Sequence, residues 1–449
     1  MSFIKSYKPY FKTIVDLSGP IIIGQVGIVL MGIADVVMIG KIDSTNLAAS
    51  GVANSVYFLI TILGIGTLTA ISPLVAKAHS EEKSEACGAL FRKGMLAAVF
   101  LSIFICTITF FLADNFHVFK QGEDITVLAK KFLNLLNLST LPLLLFFAAK
   151  QFSDGLSYTK PSAIITIVAL LLNIFLNWLW IYGNWGFEMY GLVGAGYATF
   201  TARIFMAIAM ILYVFKKPQY KKYLHSKVTS ANKYLFDIFR VGFPSGLQYF
   251  FEIGAFASAA IIIGWIGKNE LAAHHIAISI ASITYMIATG ISAAGSIAVG
   301  DALGRRNRHD IIFSGKASLY LGTAFMFCSA LMLVICNDFI VTNYVVDKQV
   351  ATITTGLIYI AAMFQLSDGI QCVSLGVLRG IADTKIPTLI TIVAYWGVGL
   401  PFGYYMAFHQ KVGLYGIWYG LSLALTFSAV MLSIRFLKES KELSFEKMQ

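Results

Sequence analysis

Charge is what this chain has least of: 13% of its 449 residues are Asp, Glu, Lys or Arg, against roughly 25% in an ordinary soluble domain. Hydrophobic residues make up 57% and the mean hydropathy is +0.75. A soluble chain this apolar would lack the polar surface to stay dissolved, so the composition points to a membrane protein. Cysteine is also scarce. Cys87, Cys106, Cys328, Cys336 and Cys372 are scattered and odd in number, and no pair has CxxC or zinc spacing. That excludes a disulfide framework and leaves them as small hydrophobic fillers. A GxxxxGK[ST] loop is missing, and the Gly264-x-x-Gly267-Lys268 run is too short to be one, so ATP is not the fuel. No nucleophile, base and orienting group stand together, which argues against an enzyme. His274 and His275 have no partner at metal spacing and read as packed or interfacial. The net charge of +11 could suggest nucleic acid, but no soluble domain exists to display a basic face.

What is there is a succession of long apolar runs. A bilayer core takes about 20 residues of helix, and windows of that length predict spans at 14–40, 46–77, 90–113, 126–153, 161–182 and 189–215. A second set follows at 237–266, 270–303, 312–338, 349–379, 385–408 and 411–437. The first run is too long for a signal-peptide core and no AxA-like cleavage site follows it, so it is expected to be a mature span. The expected organisation is an N-terminal lobe 1–215, a linker 216–236 and a C-terminal lobe 237–449. Of the 34 Lys and Arg, one side collects only Lys41, Lys120, Lys130, Lys131, Lys268, Lys348 and Lys411. Nearly all the rest, from Lys5 through Lys150 and Lys227 to Lys447, fall on the other side. The positive-inside rule then puts both termini in the cytoplasm.

The halves repeat. Ile39-Gly40, with Leu47-Ala48-Ala49 after it, precedes Ile263-Gly264 and Leu271-Ala272-Ala273 at a fixed offset. Pro20 meets Pro244, Gly66 meets Gly290 and Ser72 meets Ser296 at that offset, and Thr159-Lys160-Pro161 echoes Thr384-Lys385-Ile386-Pro387. The offset holds an even number of spans, so the repeat is parallel. The expected fold is an all-α polytopic membrane protein: twelve transmembrane helices in two six-helix bundles related by a pseudo-twofold along the membrane normal. Such a pair suits a transporter that rocks between two openings.

Ionisable groups inside spans are costly, about 2.5–3.5 kcal/mol at a helix centre on insertion scales, and so are candidates for function. Asp35, Glu252 and Asp368 are all acidic. A buried carboxylate can hold a proton, a Na⁺ ion or an organic cation, but only one at a time, which is the simplest physics of antiport; the bland alternative is a hydrogen bond to a neighbouring helix. Asn173 and Asn177 share one face of a helix and would serve equally as hard Na⁺ ligands with Asp35 or as interhelical glue. Tyr285 could offer a hydroxyl near Glu252 or simply pack. Arg203 is the outlier, about midway along its span. It would pair with Asp35, hydrogen-bond Asn177, or sit lower and reach the inner headgroups.

The repeated Ile-Gly boxes, Leu271-Ala272-Ala273-His274, and the Leu378-Arg379-Gly380-Ile381-Ala382-Asp383-Thr384-Lys385-Ile386-Pro387 run resemble the multidrug and toxic compound extrusion (MATE) family over nearly the whole chain. Glu252, Asp368, Asn173 and Asn177 look like its NorM-type bacterial branch. The resemblance implies a V-shaped antiporter of the bacterial inner membrane, monomeric and without a cofactor, exporting organic cations in exchange for Na⁺ or H⁺. It implies a second-lobe cation site at Glu252, Asp368 and Tyr285, and a first-lobe site at Asp35, Asn173, Asn177 and Thr199, with Na⁺ at either. Arg203 departs from the pattern and would disable or alter the first-lobe site. A flippase or exporter of a lipid-linked or other anionic metabolite is the alternative; mainly acidic deep charges disfavour it.

Overall fold

A computed structural model describes residues 3–116, 122–224, 231–344 and 347–443. Lys120, Lys227 and Lys447 of the expected charge pattern, and linker residues 225–230, lie outside the described residues. Among the described residues, twelve helices are long and apolar enough to cross a membrane. In chain order they are α1 (Lys5–Ile39), α2 (Ser44–Ser80), α3 (Ser84–Asp114), α4 (Glu123–Gly155), α5 (Lys160–Tyr182) and α6 (Gly191–Lys216). The second six are α7 (Asn232–Ile266), α8 (Lys268–Gly304), α9 (Arg308–Ile335), α10 (Lys348–Gly380), α11 (Lys385–His409) and α12 (Leu414–Glu442). Each expected window falls on one of them, although the helices run several residues past most windows, because backbone hydrogen bonding continues into the polar flanks.

Proline explains where these helices depart from regularity. In α2, regular bonding lapses at Thr69–Ala70, where both amides close tighter turns onto Gly66 and Thr67. Pro73 lies just beyond and cannot donate to the carbonyl of Thr69. In α11, wider π turns cover Val393–Gly399 and Tyr405–His409 around Pro401, a distortion that the apolar window gave no sign of. Pro20 lies inside α1 and Pro244 inside α7.

By its contacts the chain divides into one compact unit of residues 23–246 and another of 1–22 with 247–449. The division therefore falls inside α1 and α7, two residues beyond Pro20 and Pro244, where a helix has lost a backbone bond; the expected lobes were drawn through the linker. In unit 23–246, α5 packs on α6 and α4 on both α3 and α6, around a core that includes Leu144, Phe146, Phe152, Met206 and Met210. In the other unit α10 is central, packed against α8, α9 and α12, with Tyr395 and Trp418 fully buried.

The repeat persists in packing detail. A Cβ on Gly155 would lie 2.5 Å from the carbonyl oxygen of Ser72, and one on Gly380 would lie 2.8 Å from that of Ser296. Only glycine lets these helices meet so closely. Lys150, expected on the cytoplasmic side with the other basic residues, is instead buried. Its Nζ is 2.6 Å from Asp154 Oδ2, and Asp154 also accepts from Ser162, so the charge is spent inside the protein rather than on headgroups.

Candidate functional site

Besides Lys150 and Asp154, two clusters of polar side chains built on the expected carboxylates are buried in these spans, one in each unit. In unit 23–246 the cluster forms on α1, α5 and α6. Asn173 and Asn177, one turn apart on α5, face Asp35 on α1 and Thr199 on α6. Asn177 Nδ2 donates to Asp35 Oδ1 at 2.6 Å and to Asn173 Oδ1 at 3.2 Å. Thr199 Oγ1 donates to Asp35 Oδ2 at 2.7 Å, and Asn173 Nδ2 reaches Thr199 Oγ1 at 3.4 Å. Asp35, Asn173, Asn177 and Thr199 are all buried. All four residues expected at the first-lobe site are thus brought together. Asn177 Oδ1 is buried and accepts from no described residue, a costly state for a carbonyl oxygen in a dry interior.

Arg203 is one helical turn beyond Thr199 on α6. It neither pairs with Asp35 nor bonds Asn177, and it does not reach out of the span. Its Nη1 donates to the Tyr57 hydroxyl at 2.8 Å and to Ser139 Oγ at 2.6 Å, with the guanidinium 5.2 Å from the Tyr57 ring centroid. Those partners come from α2 and from the middle of α4, where the regular helix lapses for one residue at Ser139. All three placements expected for Arg203 are therefore corrected. The physical reason is that Asp35 is already saturated by two neutral donors, while the hydroxyls of Tyr57 and Ser139 offer lone pairs within reach.

The other unit assembles its cluster on α7, α8, α10 and α11. Glu252 Oε2 accepts from Gln248 Nε2 at 2.6 Å, one turn back on α7. Its Oε1 accepts from Gln371 Nε2 at 3.0 Å and from the Tyr285 hydroxyl at 3.4 Å. Gln371 also exchanges hydrogen bonds with the Tyr395 hydroxyl. Asp368 lies one turn before Gln371 on the same face of α10 and is buried. Among the described residues none donates a hydrogen bond to it. No Lys or Arg among the described residues comes within ion-pair distance of either carboxylate.

Glu252 and Tyr285 thus meet as expected. Gln248, Gln371 and Tyr395 were missed; Gln248 is one turn from Glu252 and Gln371 one turn from Asp368, so helical spacing from the carboxylates could have found both. His274 is buried, with Trp418 Nε1 donating to its Nδ1 at 3.2 Å, a packing role. Among the described residues no three His, Cys, Asp or Glu gather as a transition-metal site would require. The donors on hand are hard oxygens suited to a proton, an alkali cation or an ammonium group.

Comparison with known proteins gives this arrangement a setting. The family profile described as MatE matches residues 20–179 and 244–405, one stretch per repeat, each starting at or beside the helix-interior proline. The chain is 32% identical over 426 residues to the probable multidrug resistance protein NorM of Xylella fastidiosa, covering 94% of this chain and 90% of the relative. It is 31% identical over 437 residues to the multidrug resistance protein NorM of Aliivibrio fischeri, covering 96% and 95%. The crystal structure of the eukaryotic MATE transporter AtDTX14 superposes with a TM-score of 0.90 over 97% of this chain and 98% of that one, at 18% identity. At that identity the superposition speaks for the fold.

Proposed function

The chain belongs to the MatE family, and from that premise we propose that it exports organic cations by antiport against Na⁺ or H⁺, each substrate moving by alternating access. Membership makes it a multi-pass transporter, not an enzyme, and its bacterial NorM relatives assign it to multidrug efflux in the inner membrane. The finer reading rests on one observation above the rest. Asp368 is a buried carboxylate to which no described residue donates a hydrogen bond, one turn along α10 from Gln371, which itself bonds a second carboxylate, Glu252, whose own partners are all neutral. An anionic acceptor left unmatched in an apolar interior is a demand for a cation.

The cycle follows from mutual exclusion. A cationic substrate entering from the cytoplasm lies against Asp368 and Glu252. On the far side Na⁺ or H⁺ takes the carboxylates and displaces it, and the ion is released inward to reset the site. Gln248, Gln371 and Tyr285 keep Glu252 oriented throughout, so that only its occupant changes. Each charge that crosses the membrane is worth about 2.3 kcal/mol per 100 mV. One H⁺ for one monovalent substrate therefore draws on the pH gradient alone, whereas two ions per substrate draw on the potential too. The free Asn177 Oδ1 beside Asp35 supports a second ion position in the other unit. The one-sided distribution of Lys and Arg supports cytoplasmic termini, and the transporter acts as a monomer.

The test is ethidium accumulation in a pump-deficient bacterial host expressing the chain or its Asp368→Asn variant. The wild type should lower accumulation and the variant, present in the membrane at equal amount, should not. Added Na⁺ or a shifted external pH then identifies the coupling ion. A correctly inserted wild type that leaves accumulation unchanged would overturn cation export.

A further inference from the structure

A cavity of about 350 Å³ lies in unit 23–246, lined by Trp180, Phe187, Tyr190, Tyr197 and Thr201. It sits at the end of α5 and α6 away from Lys160 and Lys216, and none of its residues belongs to the Asp35 cluster. Its walls follow from how the two helices meet. A Cβ on Gly194 would lie 2.5 Å from the carbonyl oxygen of Trp180, so only glycine lets α6 touch α5 there. The Tyr190 amide donates to that same carbonyl at 3.0 Å, and Asn184 Nδ2 ties the connecting turn to the Trp178 carbonyl at 2.7 Å. The rings are fixed as a result. Tyr197 crosses Trp180 at 80° and Tyr190 at 84°, with centroids 6.4 and 6.1 Å apart. Rings at near right angles wall a corner, and Phe187, Tyr190 and Tyr197 are exposed, so the corner is open.

The chemistry of the corner favours an ammonium group. Aromatic faces attract cations, and the hydroxyls of Tyr190, Tyr197 and Thr201 bond to no described residue, which leaves acceptors for N–H donors. From Lys160 to Arg203 the chain has no further Lys, Arg or His, and its one carboxylate there, Glu188, is exposed. An anion would find nothing on these elements to pair with. Below the corner the surface turns apolar. Tyr190, Tyr197, Ile208 and Phe215 follow one another at intervals of seven, eleven and seven residues, which keeps them on one helix face. With Leu212 beside them, all are exposed.

From this geometry we infer that the cavity is a lipid site, which seats the ammonium headgroup of a phosphatidylethanolamine while its acyl chains lie along the Ile208–Phe215 stripe of α6. The ammonium stands against the faces of Trp180 and Tyr197 and donates to the Tyr190 and Tyr197 hydroxyls, as a charge-assisted donor does. Thr201, one turn deeper, is placed to donate to an ester carbonyl of the lipid. A row of aromatic residues at a membrane interface needs only amphipathic rings; here the rings are crossed around a space and continue into an apolar track, which is the shape of a headgroup with tails. The site stands apart from the export reading and does not depend on it.

The experiment is photo-crosslinking of the wild-type protein in nanodiscs with a phosphatidylethanolamine that carries a diazirine on its acyl chain beside the ester, followed by peptide mapping. Crosslinks should concentrate on residues 190–208. Excess unlabelled phosphatidylethanolamine should suppress them about fivefold more than phosphatidylglycerol of the same chains, the order expected for one cation–π contact. Tyr197→Leu should abolish that preference, whereas Tyr197→Phe, which keeps the ring, should retain most of it. Equal suppression by the two lipids, or crosslinks no denser at 190–208 than elsewhere on the lipid-facing surface, overturns the inference, and the wild-type protein alone reads both. A Tyr197→Leu protein that folds and keeps the preference overturns it too. Crosslinks displaced by ethidium but not by unlabelled phosphatidylethanolamine would give the cavity to a free organic cation and refute the lipid site.

Discussion

In unit 23–246, Asp35 has both oxygens occupied by neutral donors, Asn177 and Thr199, and a guanidinium stands one helical turn away. In the unit of 1–22 and 247–449, Glu252 is equally well supplied by Gln248, Gln371 and Tyr285, but Asp368, one turn from Gln371, accepts from no described residue, and no described Lys or Arg is within ion-pair distance of either carboxylate. The same six-helix repeat thus carries two electrostatic designs. One holds a carboxylate and a guanidinium and is close to neutral; the other holds two carboxylates and is a sink for positive charge. Because attraction for a cation in a low-dielectric interior is set by such imbalance, the second unit is where substrate and coupling ion should compete.

The largest expected effect is at the unmatched carboxylate. Asp368→Asn keeps the shape and removes the charge, so ethidium efflux should fall to the vector background, at least about tenfold, the cost of an unmade buried ion pair. Efflux near the wild-type rate would erase the distinction between the units. Glu252→Gln should be nearly as damaging, again about tenfold, because its amide brings donors where Gln248 and Gln371 already point theirs; the same efflux assay reads it. Asp35→Asn should cost only a few-fold, and the double change Asp35→Asn with Arg203→Gln should recover part of that loss, since removing both charges restores neutrality. Additive losses in this double-variant cycle would mean the two groups do not act together.

The smallest effect separates the two repeats at a surface turn. Asp43 caps the first turn of α2, accepting from the Asn46 amide at 2.7 Å, and that hydrogen bond holds its carboxyl below the usual Asp value. Gly267 occupies the equivalent place before α8 and has no side chain to cap with. A depressed carboxyl contributes stability above its ordinary range and loses it as the pH falls through the lowered value. Asp43→Ala should therefore reduce the thermal midpoint slightly at neutral pH, with the gap to wild type closing under acid conditions. A gap that widened on acidification would contradict the capping role.

Much of this was legible in the sequence. Twelve apolar windows and the paired Pro20 and Pro244 gave the helices and the repeat, because a bilayer imposes a length and a hydropathy that few other environments do. The Asp35 cluster was legible because Asn173 and Asn177 are four apart, a spacing that sets two amides on one face. Gln248, Gln371 and Tyr395 were not singled out, since a neutral polar residue in an apolar run carries no alarm without its partner in view. The partners of Arg203 were out of reach for a different reason: Tyr57 and Ser139 are 146 and 64 residues away along the chain, joined to it only by packing. The π turns of α11 likewise depend on how the helix accommodates Pro401 against α12.

The most direct test of the central claim is ethidium binding to the purified protein, followed by fluorescence polarisation while Na⁺ or H⁺ is raised at constant ionic strength. Competition at Glu252 and Asp368 predicts that one of the two ions weakens ethidium binding progressively, and that Asp368→Asn binds ethidium poorly and no longer responds. Ethidium held equally tightly at every Na⁺ concentration and pH, by a protein that still exports it, would contradict the account.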